Sequence, residues 1–306
     1  MKLDFNTIII GAGVAGMTSA IYLRRAEVTC LLIEQEMPGG QITRTSTIEN
    51  YPGIKSITGP DLAVDMFSQV QELGANVIFT KVEKIIDQEE YKIIHTSTKD
   101  YTCKHVIIAT GRSPRKLMIE GEEKYTNRGI SYCAICDGPL YKKKEVAVIG
   151  GGNSAVEEAI YLSNICTHVT LIHRKDRLTA QKNLINRLLE RPNVTIEYHS
   201  TATEFMGEDG HLTTIKIHNT ETKKEKQIAI SGCFIYIGQI PNTAFLKDLN
   251  ICNEHGYVKT NHLQETPIDN IFAVGDVTSK ELYQIVTATS DGAIAANAII
   301  NRKFLD

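Results

Sequence analysis

The apolar and polar positions of this chain fall into short runs, and one order of runs occurs twice. Thr7-Ile-Ile-Ile10 is an apolar run with the length of a buried strand. It stops at Gly11-Ala-Gly-Val-Ala-Gly16, after which Met17, Ala20 and Ile21 mark helical spacings of three and four within Met17 to Arg25. A second apolar run, Val28-Thr-Cys-Leu-Leu-Ile33, ends at Glu34. The pattern predicts strand, tight turn, helix, strand, which is one βαβ unit. The same order returns at Glu145-Val-Ala-Val-Ile149, Gly150-Gly-Gly-Asn-Ser-Ala155, Val156 to Leu162 and His168-Val-Thr-Leu-Ile172, the last ending at His173-Arg174-Lys175.

Further apolar runs end in glycine: Lys104 to Gly111, Ser231 to Gly238, and Asn270-Ile-Phe-Ala-Val-Gly-Asp276. Residues 282–300, rich in Ala and Ile, predict a closing helix, and the polar stretches Asp87 to Asp100 and Asn219 to Lys226 read as surface hairpins. The predicted fold class is α/β, with two Rossmann-like dinucleotide-binding domains, the second inserted into the first. An aspartate at a strand end, as at Asp276, suits the ribityl or pyrophosphate part of a nucleotide. If Asp276 serves the first unit, the first domain resumes after the second one ends. The expected organisation is a discontinuous domain, 1–112 with 244–306, into which 113–243 is inserted. The crossovers are expected at Arg112-Ser-Pro114 and Gln239-Ile-Pro-Asn242, where proline disfavours regular structure.

Length and composition agree with this plan. The 306 residues match roughly two domains of about 150 residues. A net charge of −3 gives no pull toward nucleic acid or an anionic membrane. The Lys142-Lys143-Lys144 run is read as a solvated lead-in to the next strand. Phe5 to Leu23 carries no charge, but glycines interrupt it and only Lys2, followed by Asp4, precedes it, so neither a membrane span nor a signal peptide is expected. A cytoplasmic location is expected. The 7 cysteines are odd in number and scattered, unlike a secreted disulfide framework. Cys30, Cys103, Cys166 and Cys233 lie in or beside apolar runs and read as small core residues.

A lone glycine fingerprint is weak evidence, but here each has a strand before it and a helix after it. In such a turn the first glycine makes the bend, the second lets backbone approach pyrophosphate, and the third packs helix on strand. Gly11, Gly13 and Gly16 meet these demands, as do Gly150, Gly152 and Ala155. Glu34, at the end of the following strand, is placed to accept from unphosphorylated ribose hydroxyls, as in FAD or NAD. The equivalent step of the second unit is His173, followed by Arg174 and Lys175. Cations there favour a 2′-phosphate, hence NADPH, with a solvent-facing basic loop as the competing reading.

Just before the second fingerprint stands Ser131-Tyr-Cys-Ala-Ile-Cys-Asp-Gly138. Zinc is disfavoured, because a structural site needs about four ligands and no second C-x-x-C exists. Two incidental cysteines are a further reading. A dithiol/disulfide centre at Cys133 and Cys136 is favoured, since two intervening residues let one turn bring the sulfurs together. Asp137 is either the carboxyl that supplies a proton to a leaving thiolate or a turn residue before Gly138-Pro139.

Taken in order, the motifs resemble those of the low-molecular-weight, bacterial-type thioredoxin reductases along essentially the whole chain. The matching stretches are Ile10 to Gly16, Gly39-Gly-Gln41, Glu49-Asn-Tyr-Pro-Gly53, Ala109-Thr-Gly111, Cys133 to Gly138, Gly150 to Ala155, His173 to Lys175, Pro241-Asn-Thr243 and Gly275-Asp276. The resemblance implies FAD held by Gly11, Gly13, Gly16, Glu34, Gly40, Gln41, Asn50, Gly111, Gly275, Asp276 and Gln284. It implies NADPH held by Gly150, Gly152, Asn153, Ser154, Glu157, His173, Arg174 and Lys175, and no metal. Cys136 matches the sulfur that faces the flavin, Cys133 the thiol that attacks the substrate disulfide, and Asp137 the acid/base. Thioredoxin as protein substrate, a homodimer, and domain rotation about the two crossovers are implied with them.

Two positions depart from the family pattern. Thr179 stands where many members carry a second arginine for the 2′-phosphate, and Tyr283-Gln284 stands where many carry Arg-Gln. Rival readings are the same chemistry on another carrier, a dithiol oxidase that passes electrons to oxygen, a ferredoxin–NADP reductase, and a redox sensor without turnover. The oxidase would not need Gly150 to Gly152 and Arg174-Lys175. The ferredoxin enzyme would not need Cys133 and Cys136.

Overall fold

Three consecutive isoleucines, Ile8, Ile9 and Ile10, are buried because alternate residues of one strand face opposite sides of a sheet that is covered on both. The computed structural model describes residues 2–45 and 48–305, without the side chains at 44, 136 and 303–305. In chain order the first elements are β1 (Phe5–Ile10), α1 (Val14–Arg25), β2 (Cys30–Glu34), α2 (Gly59–Glu72) and β3 (Asn76–Phe79). They continue with β4 (Val82–Asp87), β5 (Lys92–Thr96), β6 (Asp100–Ile108) and β7 (Arg112–Pro114). Next come α3 (Glu122–Tyr125), β8 (Ile130–Ser131), α4 (Ala134–Asp137), β9 (Glu145–Gly150), α5 (Asn153–Ser163), β10 (His168–Ile172), α6 (Lys182–Leu189) and β11 (Val194–Glu197). The remainder is β12 (Ser200–Glu208), β13 (His211–Asn219), β14 (Glu225–Ala229), β15 (Gly232–Tyr236), β16 (Gln239–Pro241), β17 (Ile271–Ala273) and α7 (Ile285–Leu305).

The chain divides into two units, Met1–Ser113 with Ile240–Asp306, and Pro114–Gln239. The first holds a 7-stranded sheet in the order β3-β2-β1-β6-β5-β4, with β17 also paired to β6. β1, β2, β3, β6 and β17 run parallel, while β4 to β6 form antiparallel hairpins. On one face Ile9, Leu32, Ile107 and Phe272 pack with Met17 and Leu23 of α1 and Ile299 of α7. On the other, Ile8, Ile10, Leu31 and Ile33 pack with Ile85 and Ile94 of the hairpin and with Leu246 and Val258.

The second unit repeats the scheme. Its 5-stranded sheet, β11-β10-β9-β15-β8, is parallel throughout. Val146 and Val148 of β9 meet Val156 and Ile160 of α5 on one face. Ala147 and Ile149 meet Phe205 and Ile215 of the antiparallel β12-β13-β14 sheet on the other.

The chain passes between the units at Ser113–Pro114 and Gln239–Ile240, within the two crossover segments named from the sequence. The proline-bearing segments are not irregular: β7 and β16 pair with each other in a two-stranded sheet. A two-stranded ribbon has free outer edges, where a residue without an N–H breaks no ladder bond. Residues after Gln239 fold with the first unit because Asn242 donates from Nδ2 to Thr110 O at 2.8 Å and from its backbone to Gly111 O at 3.0 Å. Among the described residues no helix is long and apolar enough to cross a membrane.

Candidate functional site

In the first unit the glycine turn between β1 and α1 is shaped by close approach. Gly11 has φ +105, and a Cβ there would fall 2.5 Å from Ala109 O. At Gly16 a Cβ would fall 2.0 Å from Gly11 O, so α1 sits directly on the turn. Gly13 caps α1 without a side-chain bond and has open space within 4 Å, which leaves helix N–H groups available to a phosphate. Glu34 braces the turn: Oε2 accepts from Ala12 N at 2.7 Å, and Oε1 accepts from Gln35 N at 2.8 Å and Glu36 N at 2.9 Å.

The other predicted FAD residues lie in three short sets of contacts. Gln41, beside Gly40 in the turn Gly40–Arg44, donates from Nε2 to Arg112 O at 2.7 Å. Asn50 Nδ2 donates to Gln284 Oε1 at 2.9 Å. Asp276 Oδ2 accepts from Arg112 Nε at 3.0 Å, and the Arg112 guanidinium lies 3.8 Å over the Tyr283 ring. Gly275 N donates to Asp291 Oδ2 at 2.9 Å, and Asp291 also pairs with Lys280. Arg112 and Asp291 were not among the predicted residues. A single carboxylate within the Ala- and Ile-rich closing helix was the one available sequence signal for Asp291. The glycine cradle, the uncapped helix start and this polar rim fit a dinucleotide such as FAD.

In the second unit the glycine turn and the C-x-x-C segment share one edge. β8, β15 and β9 are parallel neighbours, so the segment after β8 and the turn after β9 both leave the carboxyl ends of their strands. That is where open α/β sheets bind ligands. Gly152 caps α5 without a side-chain bond and, like Gly13, has open space within 4 Å. Asn153, Ser154 and Glu157 are exposed on the first turns of α5, and Asn153 Oδ1 accepts from Gln181 N at 2.8 Å. Arg174 and Lys175 are exposed past β10.

His173 sits differently from them. It is buried, a Cβ on Gly151 would fall 2.2 Å from its ring, and Nε2 donates to Arg177 O at 3.0 Å. Burial lowers its pKa, and its ring packs beneath the turn. Thr179 holds the same turn from the other side, with its backbone N–H at 2.7 Å and its hydroxyl at 3.1 Å from Gly151 O.

Cys133 is half-buried and disulfide-bonded. The Cys136 side chain lies outside the described residues. Cys133 N donates to Ser131 Oγ at 3.0 Å, and the Ser131 hydroxyl lies 2.5 Å from Asp137 Oδ2 as its donor. Asp137 N bonds back to Cys133 O at 3.1 Å, closing the turn. Ala134, between the cysteines, is fully buried, and its N–H donates to the Tyr236 hydroxyl at 2.7 Å. Ser131 and Tyr236 were not foreseen: Ser131 meets Asp137 of α4, 6 positions on, and Tyr236, at the end of β15, lies 102 positions from Ala134. Gly138 admits no side chain freely, since a Cβ would meet Leu162 and Tyr161 of α5 at 3.1 Å.

One carboxyl on α5 stands apart. Glu158 Oε2 is buried without a hydrogen-bond partner among the described residues, and burial, then the like charge of Glu157, raise its pKa to about 7. Its charge also pushes up the Tyr236 and Tyr161 hydroxyls, after burial itself. The remaining thiols are suppressed. Burial raises Cys30 and Cys166 to about 11 and Cys103 to about 12, and it raises Cys233 and Cys252 as well. Among the described residues no group of His, Cys, Asp and Glu could hold a metal ion.

A family model described as pyridine nucleotide-disulphide oxidoreductase matches residues 5–292. The chain is 43% identical over 295 residues to the thioredoxin reductase of Bacillus subtilis (strain 168), across 96% of this chain and 93% of the relative. Among solved structures, thioredoxin reductase of Lactococcus lactis is 42% identical with a TM-score of 0.87, over 97% of this chain and 98% of that one. The enzyme of T. acidophilum is 34% identical with a TM-score of 0.85, over 99% and 100% of the two chains.

Proposed function

The chain belongs to the pyridine nucleotide-disulphide oxidoreductase family, and on that premise we propose that it is an NADPH-dependent flavoprotein that reduces the disulfide of thioredoxin. The observation that carries this reading is the disulfide at Cys133, set on the same strand edge as an open glycine turn. When bound, NADPH supplies an electron pair that FAD hands on to the Cys133–Cys136 disulfide.

The chain's own residues do the rest. The turn at Gly11, Gly13 and Gly16 would hold the pyrophosphate of FAD, and Glu34, Gln41, Asn50, Asp276 and Gln284 would contribute its other polar contacts. The turn at Gly150 and Gly152 would hold NADPH together with Asn153, Ser154 and Glu157, and Arg174 and Lys175 would supply cations for its 2′-phosphate. In the dithiol state, Cys133 sulfur attacks the thioredoxin disulfide. A mixed disulfide forms and one thioredoxin thiolate leaves. Cys136 sulfur then displaces the second thioredoxin thiolate and restores the intramolecular bond. Asp137, anchored by the Ser131 hydroxyl, moves a proton to the leaving sulfur. The family resemblance supports a cytoplasmic homodimer.

Anaerobic titration of the purified protein tests this reading. NADPH bleaches the flavin absorbance quickly and NADH slowly, and the reduced protein then reduces thioredoxin. Cys133→Ser leaves the bleaching intact and abolishes thioredoxin reduction. A protein that holds no flavin, or one whose Cys133→Ser form still reduces thioredoxin, overturns it.

A further inference from the structure

Arg112 is the first residue of β7, directly after Gly111 with its φ of +60. Three segments of the first unit converge on it. The turn at Gly40–Arg44 reaches it through the 2.7 Å bond from Gln41 Nε2 to its carbonyl. The turn at Gly275–Val277 reaches it through the 3.0 Å bond from its Nε to Asp276 Oδ2. The segment before α7 reaches it through the Tyr283 ring, 3.8 Å beneath the guanidinium carbon. Tyr283 is itself steadied by Tyr257, with ring centroids 6.0 Å apart. Both ionic partners are largely shielded from solvent: the Arg112 and Asp276 side chains are 20% and 23% exposed.

We propose that Arg112 is a positioning residue for the flavin site, fixing the Asp276 carboxylate and drawing the Gln41 and Tyr283–Gln284 segments to one point. The proposal rests on the assignment of these segments to FAD. The guanidinium has a geometry that a lysine cannot reproduce: its flat face stacks on the ring while its edge donates to the carboxylate. With Oδ2 committed to Arg112, Oδ1 is the oxygen through which Asp276 would accept from a ligand hydroxyl. Tyr283 thereby becomes the surface on which the cation from position 112 rests.

The test is the rate at which FAD leaves the holoprotein, followed by the rise of free-flavin fluorescence after dilution. Arg112→Leu is expected to release FAD about tenfold faster or more, and Tyr283→Leu to give a smaller acceleration of the same kind. Because Arg112 acts through Asp276, the Arg112→Leu effect is expected to shrink to about threefold or less in an Asp276→Asn background. Arg112→Lys keeps the charge and loses the stack, so it falls between the wild type and the leucine variant; should the leucine variant fail to fold, this variant replaces it in the cycle. Release at the wild-type rate overturns the proposal. So does an acceleration of equal size in both backgrounds. A wild-type protein that carries no FAD instead overturns the functional reading, so the two failures are told apart.

Discussion

Replacing Glu158 with glutamine should raise stability at alkaline pH and leave it nearly unchanged in acid. The Glu158 pKa is raised from the ordinary 4.5 to about 7, first by burial and then by Glu157. Its Oε2 has no donor to offset that burial. Below pH 4.5 both the folded and the unfolded chain hold the proton, and the group contributes no penalty. As pH rises toward 7, the unfolded chain ionises while the folded chain does not, so stability falls; above 7 the loss is complete and constant. Each pH decade is worth about 1.4 kcal/mol, so the full loss approaches ~3 kcal/mol, of which about 2.5 kcal/mol falls between roughly pH 5 and pH 8. Glutamine has nearly the same shape and cannot ionise. Urea unfolding of wild type and Glu158→Gln at both pH values should therefore show the variant gaining about 2.5 kcal/mol on the wild type at the higher pH. Parallel pH profiles for the two proteins would refute the reasoning, because they would mean that Glu158 ionises as readily in the folded chain as in the unfolded one.

Three further predictions rest on other contacts. Lys280→Met strips the cation from the buried Asp291 carboxylate and should cost about 3 kcal/mol in urea unfolding, whereas a loss under about 1 kcal/mol would show that Gly275 and Gln264 suffice to hold it. Gly16→Ala puts a Cβ 2.0 Å from Gly11 O, so the purified variant should carry less than about a tenth of the wild-type flavin by its absorbance ratio. The double substitution Arg174→Ala, Lys175→Ala should raise the KM for NADPH by about 10- to 100-fold and leave that for NADH nearly unchanged. Equal shifts for both nucleotides would assign these cations to something other than the 2′-phosphate.

The two βαβ units were legible because their demands are local. Each needs an apolar run, a glycine wherever a Cβ would strike backbone, and a helix start, all within about 25 residues. The β7–β16 ribbon was not legible. Pro114 and Pro241 argue against strand locally, and only the return of the chain more than a hundred residues later supplies the pairing partner. The burial of His173 was not legible for a related reason. Its neighbours Arg174 and Lys175 are exposed cations, but packing against Gly151 and the bond to Arg177 O turn it inward. The Arg112–Asp276 pair spans 164 positions, and nothing local at either residue announces the other. Asp137 and Cys133 could be read from the motif, while Ser131, which ties them together, could not.

The suppression of the five other thiols sets the fidelity of the chain as a conductor. A protein that exchanges disulfides all its working life meets oxidised partners continually, and each of its own sulfurs is a place for the current to leak. A thiol held near pKa 11 is ionised only about once in 10⁴ at pH 7, so Cys30 and Cys166 react with passing disulfides far more slowly than an ordinary cysteine. The apolar core thus acts as insulation. Scrambling of the chain's own cysteines is held down by the same apolar residues that form the core of each unit.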